Sequence, residues 1–324
     1  MKIVFFGTPY FASSILEILI NKFEVLGVVT APDSKYGRGL KEKTSDVKKL
    51  SLDNNIPVFT PSNLKDSTFI SDLADLNANL FVVVAFRMLP KVIWNLPIHG
   101  TINLHTSLLP NYRGAAPINW VLINGEKETG VTTFFINENI DEGAIIDQTK
   151  ITIDKHLTSA DLHNKLLLLS KDIIVKTINS ININKYNKKS QDNNLAKSFA
   201  PKLTKEFLKL NWTESAKSIH NKIRGLSPLL NDDNILKDVS ICPSAWCFLK
   251  DKDGKERRIK IHRSKLLNTK SDSISIKTDN KSYLNILTFD GGISILNIQP
   301  EGKKSMNIKD FLRGNKITDD TKVL

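Results

Sequence analysis

Asn103 and His105 stand two residues apart in the run Thr-Ile-Asn-Leu-His, a spacing that could do chemistry. On a β-strand, residues i and i+2 leave the same face. The amide and the imidazole would then share one side, with Leu104 on the other. An amide N–H can donate to the oxyanion formed when an amine attacks a carbonyl, and one such donor is typically worth about 3 kcal/mol of barrier. An imidazole can supply positive charge or a proton near neutral pH, typically worth about 10²–10⁴-fold in rate. The pair therefore suits acyl transfer. Spacing alone also allows a structural reading, with Asn103 satisfying loop backbone and His105 sitting as a hydrogen-bonded core residue. A second candidate, Asp141, lies in the stretch Asn-Glu-Asn-Ile-Asp-Glu-Gly-Ala (137–144). It can orient His105 or relay protons, or it can be an ordinary solvated acidic turn.

The elements that must position these residues follow from hydrophobic periodicity. Lys2–Phe6, Val25–Thr30, Pro57–Phe59, Leu80–Ala85, Thr101–His105 and Val131–Ile136 are predicted strands. The unbroken apolar run at 80–85 is typical of a parallel strand covered on both faces. Helices are predicted after Thr8, placed as an N-cap with Pro9 at the first helical position, over Ser45–Asn54 and Ser67–Leu76, and from Ser159. Alternating strands and helices predict a doubly wound α/β sheet, with Asn103 and His105 at the carboxyl end of a strand, where such sheets build their sites.

The pattern changes near residue 184. Asn184–Asn194 is polar and weakly patterned and reads as an exposed linker. A helix is predicted over Thr213–Arg224, and then the period becomes two, as at Ile259 and Ile261, and again across Ser273–Lys277, Tyr283–Phe289 and Ile293–Ile298. Several short strands predict a small β-barrel or sandwich. The expected organisation is a catalytic domain over 1–187, a linker over 188–206 and a β domain over 207–324.

Charge divides the same way. Residues 1–187 carry 19 Lys+Arg against 18 Asp+Glu, a net of +1, whereas residues 188–324 carry 27 against 16, a net of +11. A polyanion such as RNA fits the second half, and a solvated lysine-rich surface is the alternative. The two cysteines, Cys242 and Cys247, are too few for a disulfide framework and poorly spaced for zinc, so packing roles and no metal are expected. No stretch approaches the roughly 20 apolar residues of a membrane span, and Met1-Lys2 leads into a short strand without a signal-type apolar region. A cytoplasmic, monomeric protein is the expectation.

The stretch Asn103–Ile118 (N-L-H-T-S-L-L-P-N-Y-R-G-A-A-P-I) resembles the signature of the folate-dependent formyltransferases, in which N-x-H is followed by S-L-L-P. The continuation Tyr112–Ile118 is similar to the branch that formylates aminoacyl-tRNA. Gly7-Thr8-Pro9-x-Phe11, Ala31-Pro32-Asp33 leading to Gly37-Arg38-Gly39, Val82–Pro90, Asp141-x-Gly143, Phe199–Glu206 and Gln299–Met306 resemble further family segments in order, so the likeness spans essentially the whole chain. It implies a Rossmann-like formyltransferase domain followed by an OB-type β-barrel. It implies 10-formyltetrahydrofolate as donor and the α-amine of methionyl-initiator tRNA as acceptor. By the same resemblance Asn103, His105 and Asp141 are catalytic. Ser107, Leu108, Leu109, Pro110, Phe86, Met88 and Leu89 contact folate. Phe11 lines a methionine pocket, its alternative being a core position. Arg38, Lys41, Lys43, Lys202, Lys205, Lys303 and Lys304 meet tRNA.

Two departures stand out. Tyr36 replaces a usually small residue in the basic loop, and Gly225–Cys242 is longer than the family pattern, predicting a surface insertion. Formylation of a ribonucleotide or of a nucleotide-linked sugar, and hydrolysis of formylfolate, would use a similar N-x-H centre. A nicotinamide-dependent oxidoreductase is disfavoured because Gly7-Thr8-Pro9 lacks the G-x-G-x-x-G fingerprint. A purely RNA-binding protein would explain the charge but not the polar pair.

Overall fold

Apolar residues at every position of Ile3–Phe6 and Leu80–Val84 leave no face for solvent, and these segments become central strands buried along their length. A computed structural model describes residues 1–36, 41–238 and 241–324, except the side chains of 34–36 and 41–43. In chain order its first elements are β1 (Lys2–Gly7), α1 (Tyr10–Ile20), β2 (Glu24–Val29), β3 (Ser34–Tyr36), β4 (Lys41–Lys43), α2 (Asp46–Asp53), β5 (Val58–Phe59), α3 (Ser67–Asp75), β6 (Leu80–Val84), α4 (Lys91–Trp94), β7 (Thr101–His105) and β8 (Arg113–Gly114). There follow α5 (Pro117–Ile123), β9 (Glu128–Phe135), β10 (Ile145–Thr152), α6 (Ser159–Asn182) and β11 (Phe199–Ala200). The chain forms two compact units, one from Met1–Gly114, Glu128–Ile151 and Asn164–Phe199, the other from Ala115–Lys127, Thr152–His163 and Ala200–Leu324.

The first unit is built on a sheet of order β10-β9-β7-β6-β1-β2-β5. β5, β2, β1, β6 and β7 run parallel, and β9 turns antiparallel against β7. Together they make the predicted Rossmann-like layer. The helix starts follow cap chemistry: Ser45 accepts from Lys48 N at 3.0 Å, and Asp66 from Phe69 N at 2.9 Å. The first helix departs from expectation. It starts at Tyr10 with Pro9 in the cap position and no side-chain cap. Thr8 instead turns its hydroxyl to accept from Ala31 N at 3.4 Å, tying the first turn to the end of β2.

The second unit adds α7 (Ala216–Gly225), β12 (Ala245–Lys250), β13 (Glu256–Leu267), β14 (Ser275–Thr278), β15 (Leu284–Leu287), β16 (Gly292–Pro300), β17 (Met306–Asn307), α8 (Ile308–Gly314) and β18 (Lys322–Val323). The antiparallel order is β14-β15-β16-β13-β12-β18, with β17 on β16. The two end strands lie against each other, so the sheet nearly closes, as an OB-type barrel does. Period-two alternation sends Ile259, Ile261, Ile286, Ile293 and Ile295 inward, where Ala216, Ile219 and Ile223 of α7 join them in one core. Cys242 and Cys247 are buried packing residues, and burial pushes the Cys242 thiol up to about 12. Among the described residues no helix is long and apolar enough to cross a membrane.

The segment 225–242 corrects the expectation of a surface insertion. Residues 225–229 are buried, Leu236 and Cys242 join Ala160 in a small core, and 231–235 form an exposed tip. Leu229 pairs with Ile235, and Asp233 bonds Arg263 at 2.7 Å, so the extra residues fold back on the unit. Residues 239 and 240 lie outside the described residues.

Two histidines are buried in this unit beside hydroxyls, His220 on Ser264 at 2.9 Å and His262 between Ser305 at 3.0 Å and Ser244 at 3.2 Å. Burial, with the positive charge of Arg224 beside His220 and of Lys260 beside His262, lowers both from 6.5 to about 4. The folded unit therefore binds these protons less readily than the unfolded chain. Their contribution to stability is fully present above about pH 6.5 and is lost as pH falls toward 4. Urea unfolding of the intact chain should show a clearly lower midpoint at pH 4.5 than at pH 7.5. His220→Gln with His262→Gln should flatten that difference.

Candidate active site

β7 places the polar pair. Asn103 lies opposite Val83 of β6 and Phe134 of β9, and His105 lies opposite Thr132. Strand alternation puts both side chains on one face and Leu104, a core residue, on the other. Asn103 is half-buried, and its amide has no hydrogen-bond partner among the described residues. A donor already placed and not engaged by the protein is what stabilising a new oxyanion requires.

His105 is only 6% exposed, and its tautomer is set by what it touches. Nε2 lies 2.8 Å from the carbonyl of Tyr112. A carbonyl only accepts, so Nε2 carries the proton of the neutral ring. Nδ1 is left with a lone pair and faces Asp141 Oδ2 at 3.7 Å. That distance is too long for a hydrogen bond, and the carboxylate faces the ring nitrogen across it. The same Asp141 oxygen accepts Gly114 N–H at 2.8 Å, which anchors it at that distance.

The loop after β7 is held from β9 and β10. Thr132 donates to Ser107 O at 2.6 Å and accepts from Leu109 N at 3.3 Å. Gln148 donates to Leu109 O at 2.9 Å and to the Thr132 hydroxyl at 3.0 Å. The Leu109–Pro110 bond is cis. Ser107 is buried with its hydroxyl donating to Asn111 O at 2.7 Å, and Leu109 packs with Phe134 and Ile145.

The remaining expected site residues fall as follows. Leu108 and Pro110 are part-exposed in the loop after β7, beside the polar pair. Phe86 is part-exposed and packs edge-on against Phe6 at 5.8 Å. Met88 is 64% exposed, whereas Leu89 is buried in the core below it. Phe11 is buried on α1. Lys202, Lys205, Lys303 and Lys304 are exposed on the second unit. Arg38 lies outside the described residues, as do the side chains of Lys41 and Lys43.

Sequence reasoning missed the residues that support the Asp141 turn. Arg113 is 5% exposed and bonds Glu142 at 2.8 Å and Gln191 at 2.8 and 3.1 Å. Thr132 and Gln148 were also missed. An arginine inside a Gly- and Ala-rich loop was a usable signal for a buried guanidinium. Gln191, set in the polar stretch 184–194, offered none.

The arrangement provides a free amide donor, an imidazole with an available lone pair and a carboxylate to stabilise the resulting imidazolium. Comparison with known proteins agrees with that chemistry. The formyl transferase family model matches residues 1–178, and the model of the formyl transferase C-terminal domain matches residues 202–316. A methionyl-tRNA formyltransferase of Flavobacterium johnsoniae is 46% identical over 326 residues, covering 100% of this chain and 99% of that relative. One of Flavobacterium psychrophilum is 43% identical, covering 97% and 96%. A solved sugar 3N-formyl transferase, crystallised with dTDP and 5-N-formyl-THF, superposes with a TM-score of 0.62 at 26% identity, covering 94% of this chain and 99% of that one. The chain belongs to the formyl transferase family, and within it to the methionyl-tRNA formyltransferases.

Proposed function

We propose that this protein transfers the formyl group of 10-formyltetrahydrofolate to the α-amino group of methionyl-initiator tRNA, as a cytoplasmic, monomeric enzyme of translation initiation. The observation that carries this reading is the Asn103–His105–Asp141 geometry in a chain 46% identical, end to end, to a protein of that name. The folate enters beside Val82–Leu89 and the 107–110 loop, where Ser107, Leu108, Leu109, Pro110, Phe86, Met88 and Leu89 shape its binding. Phe11 lines the methionine pocket.

The neutral amine attacks the formyl carbon, a C–N bond forms and the carbonyl electron pair moves to oxygen. The Asn103 amide donates to that oxyanion. His105 accepts the proton shed by the attacking nitrogen at Nδ1, and Asp141 stabilises the imidazolium. As the oxyanion collapses and the bond to the folate nitrogen breaks, the imidazolium, directly or through a water held by Asp141, returns the proton to the departing nitrogen. Tetrahydrofolate and formylmethionyl-tRNA leave, and His105 is neutral again.

RNA contact falls to the basic second unit. Its outer surface sets cations beside aromatic rings, Arg258 over Trp246 at 4.4 Å and Lys209 over Phe248 at 5.7 Å, and the part-exposed ring of Phe207 lies 4.5 Å from the buried Lys222 ammonium. Lys202 and Lys205 lie on the same segment as Phe207. Cations for phosphates beside rings for bases is the composition of a nucleic-acid surface. Lys303 and Lys304, in the turn after β16, extend the positive charge. Arg38, Lys41 and Lys43 are proposed as RNA contacts from the family resemblance of their segment.

The test is formyl transfer from 10-formyltetrahydrofolate to charged initiator tRNA compared with charged elongator tRNA. Transfer to the initiator and little to the elongator is expected; no transfer to the initiator overturns the reading. Binding should also weaken steeply with salt, log K falling by roughly 0.7–0.9 per phosphate contact for each tenfold rise in salt, the range between single strands and B-form duplex. Replacing Lys202 and Lys205 with Ala should lower that slope by about 2, measured by fluorescence titration between 50 and 300 mM salt. A flat salt dependence contradicts the role given to this surface.

A further inference from the structure

Gln191 and Arg113 form a clamp on the Asp141 turn that neither the family match nor the catalytic set assigns. The Arg113 guanidinium can only donate. Its Nε and Nη2 both point at Gln191 Oε1, at 3.1 and 2.8 Å, while Nη2 also reaches Asn193 Oδ1 at 2.9 Å and Nη1 reaches Glu142 Oε1 at 2.8 Å. That fixes the orientation of the Gln191 amide, with oxygen toward the arginine and nitrogen away from it. The amide nitrogen then uses its two N–H groups on two carbonyls, Asp141 O and Gly143 O, each at 2.8 Å. Every partner is chemically obligatory, so reversing the amide would break all four bonds.

The held turn needs such support. Asp141 adopts φ of +55°, a left-handed conformation uncommon for a residue with a side chain. Glu142, between the two clamped carbonyls, is tied to Arg113 and accepts from Asn139 Nδ2 at 3.0 Å. Arg113 is also the neighbour of Gly114, whose N–H holds the Asp141 carboxylate. Residues 113 and 114 therefore grip the turn from its backbone and its carboxylate together.

We propose that Gln191, oriented by Arg113, is a positioning residue that keeps the Asp141 carboxylate at His105 during formyl transfer; the catalytic part of this inference rests on the function proposed above. Gln191 touches no reacting atom. Gln191→Glu keeps the size and the arginine contact but replaces two donors with lone pairs facing two carbonyl oxygens. The turn must shift, and Asp141 with it. An error of about 1 Å in such a group costs on the order of 10²-fold.

The experiment measures kcat and KM of Gln191→Glu on charged initiator tRNA, together with exchange of the Gly114 amide in the intact protein. Gly114 N–H reports the Asp141 carboxylate without any substrate. The expected result is a kcat loss of about 10–100-fold with donor KM within about two-fold, and Gly114 exchange at least about ten-fold faster. In an Asp141→Asn background the same substitution should cost less than about two-fold more, because the clamp acts through Asp141. Wild-type kcat, unchanged Gly114 exchange, or a fully additive loss in the double variant would each overturn the proposal. If Gln191→Glu does not fold, Gln191→Met removes the donors without adding charge and is read against the same outcomes. Failure of the unmodified protein to transfer formyl would sink the functional reading instead, and the exchange result would still decide the clamp.

Discussion

Replacing His105 with alanine is expected to lower kcat for formyl transfer by about 10²–10⁴-fold, with the fold retained. The size follows from its position. Nε2 is spent on the Tyr112 carbonyl, so Nδ1 is the one ring atom free to accept a proton, and it faces the Asp141 carboxylate at 3.7 Å. No neighbouring side chain in this arrangement repeats that role. Removing the ring also removes one buried hydrogen bond to the Tyr112 carbonyl, a stability cost of about 1 kcal/mol that a melting curve should register separately from kcat. Asn103→Ala should cost about 10²–10³-fold in kcat through loss of the oxyanion donor. Because the Asn103 amide bonds nothing in the described protein, its removal should leave stability nearly unchanged. Steady-state kinetics beside thermal melts check both. Near-normal kcat in His105→Ala would contradict the proton-transfer assignment.

Gly143→Ala is expected to remove both stability and activity. A Cβ at that position would overlap the Phe135 carbonyl oxygen and sit 2.8 Å from its carbon, both backbone atoms that no rotamer change can move. The chain must pull away from β9 at the point where Asp141 is presented. A loss of about 3 kcal/mol or more is expected, from overpacking against rigid backbone, with kcat falling at least about 10²-fold as Asp141 leaves His105. Gly314→Ala is the matched control, since a Cβ there meets nothing within 4 Å. Denaturant titrations of the two variants should differ sharply. Similar midpoints would mean that the turn adapts and is not a rigid support for Asp141.

What could be read from the sequence divides along the range of the interactions. Continuous apolar runs such as Leu80–Val84, and the cap at Ser45, are local signals, and strand and helix appear where those signals predicted them. The period of two that announces β13 and β16 equally marked the barrel. Asn103 and His105 were legible because strand alternation is also local. The partners of His105 were not. Asp141 lies 36 positions along the chain and reaches His105 only because β9 returns antiparallel beside β7. Gln191 is 78 residues from Arg113, in a stretch whose polar composition resembles any exposed linker. The buried start of the 225–242 segment was hidden for the same reason. Its Leu236 and Cys242 are scattered apolar residues with no period, and their partner Ala160 comes from a distant helix.

The acceptor distinguishes this protein from its structural neighbours, because a sugar 3N-formyl transferase crystallised with dTDP shares the fold at a TM-score of 0.62 and 26% identity. The most direct measurement compares kcat/KM for formylation of methionyl-initiator tRNA with that for a dTDP-linked aminosugar, using one formyl donor and one salt concentration. A tRNA value at least about a thousand-fold higher, a difference of roughly 4 kcal/mol in transition-state stabilisation, is the predicted result. Equal or greater activity on the aminosugar would contradict it.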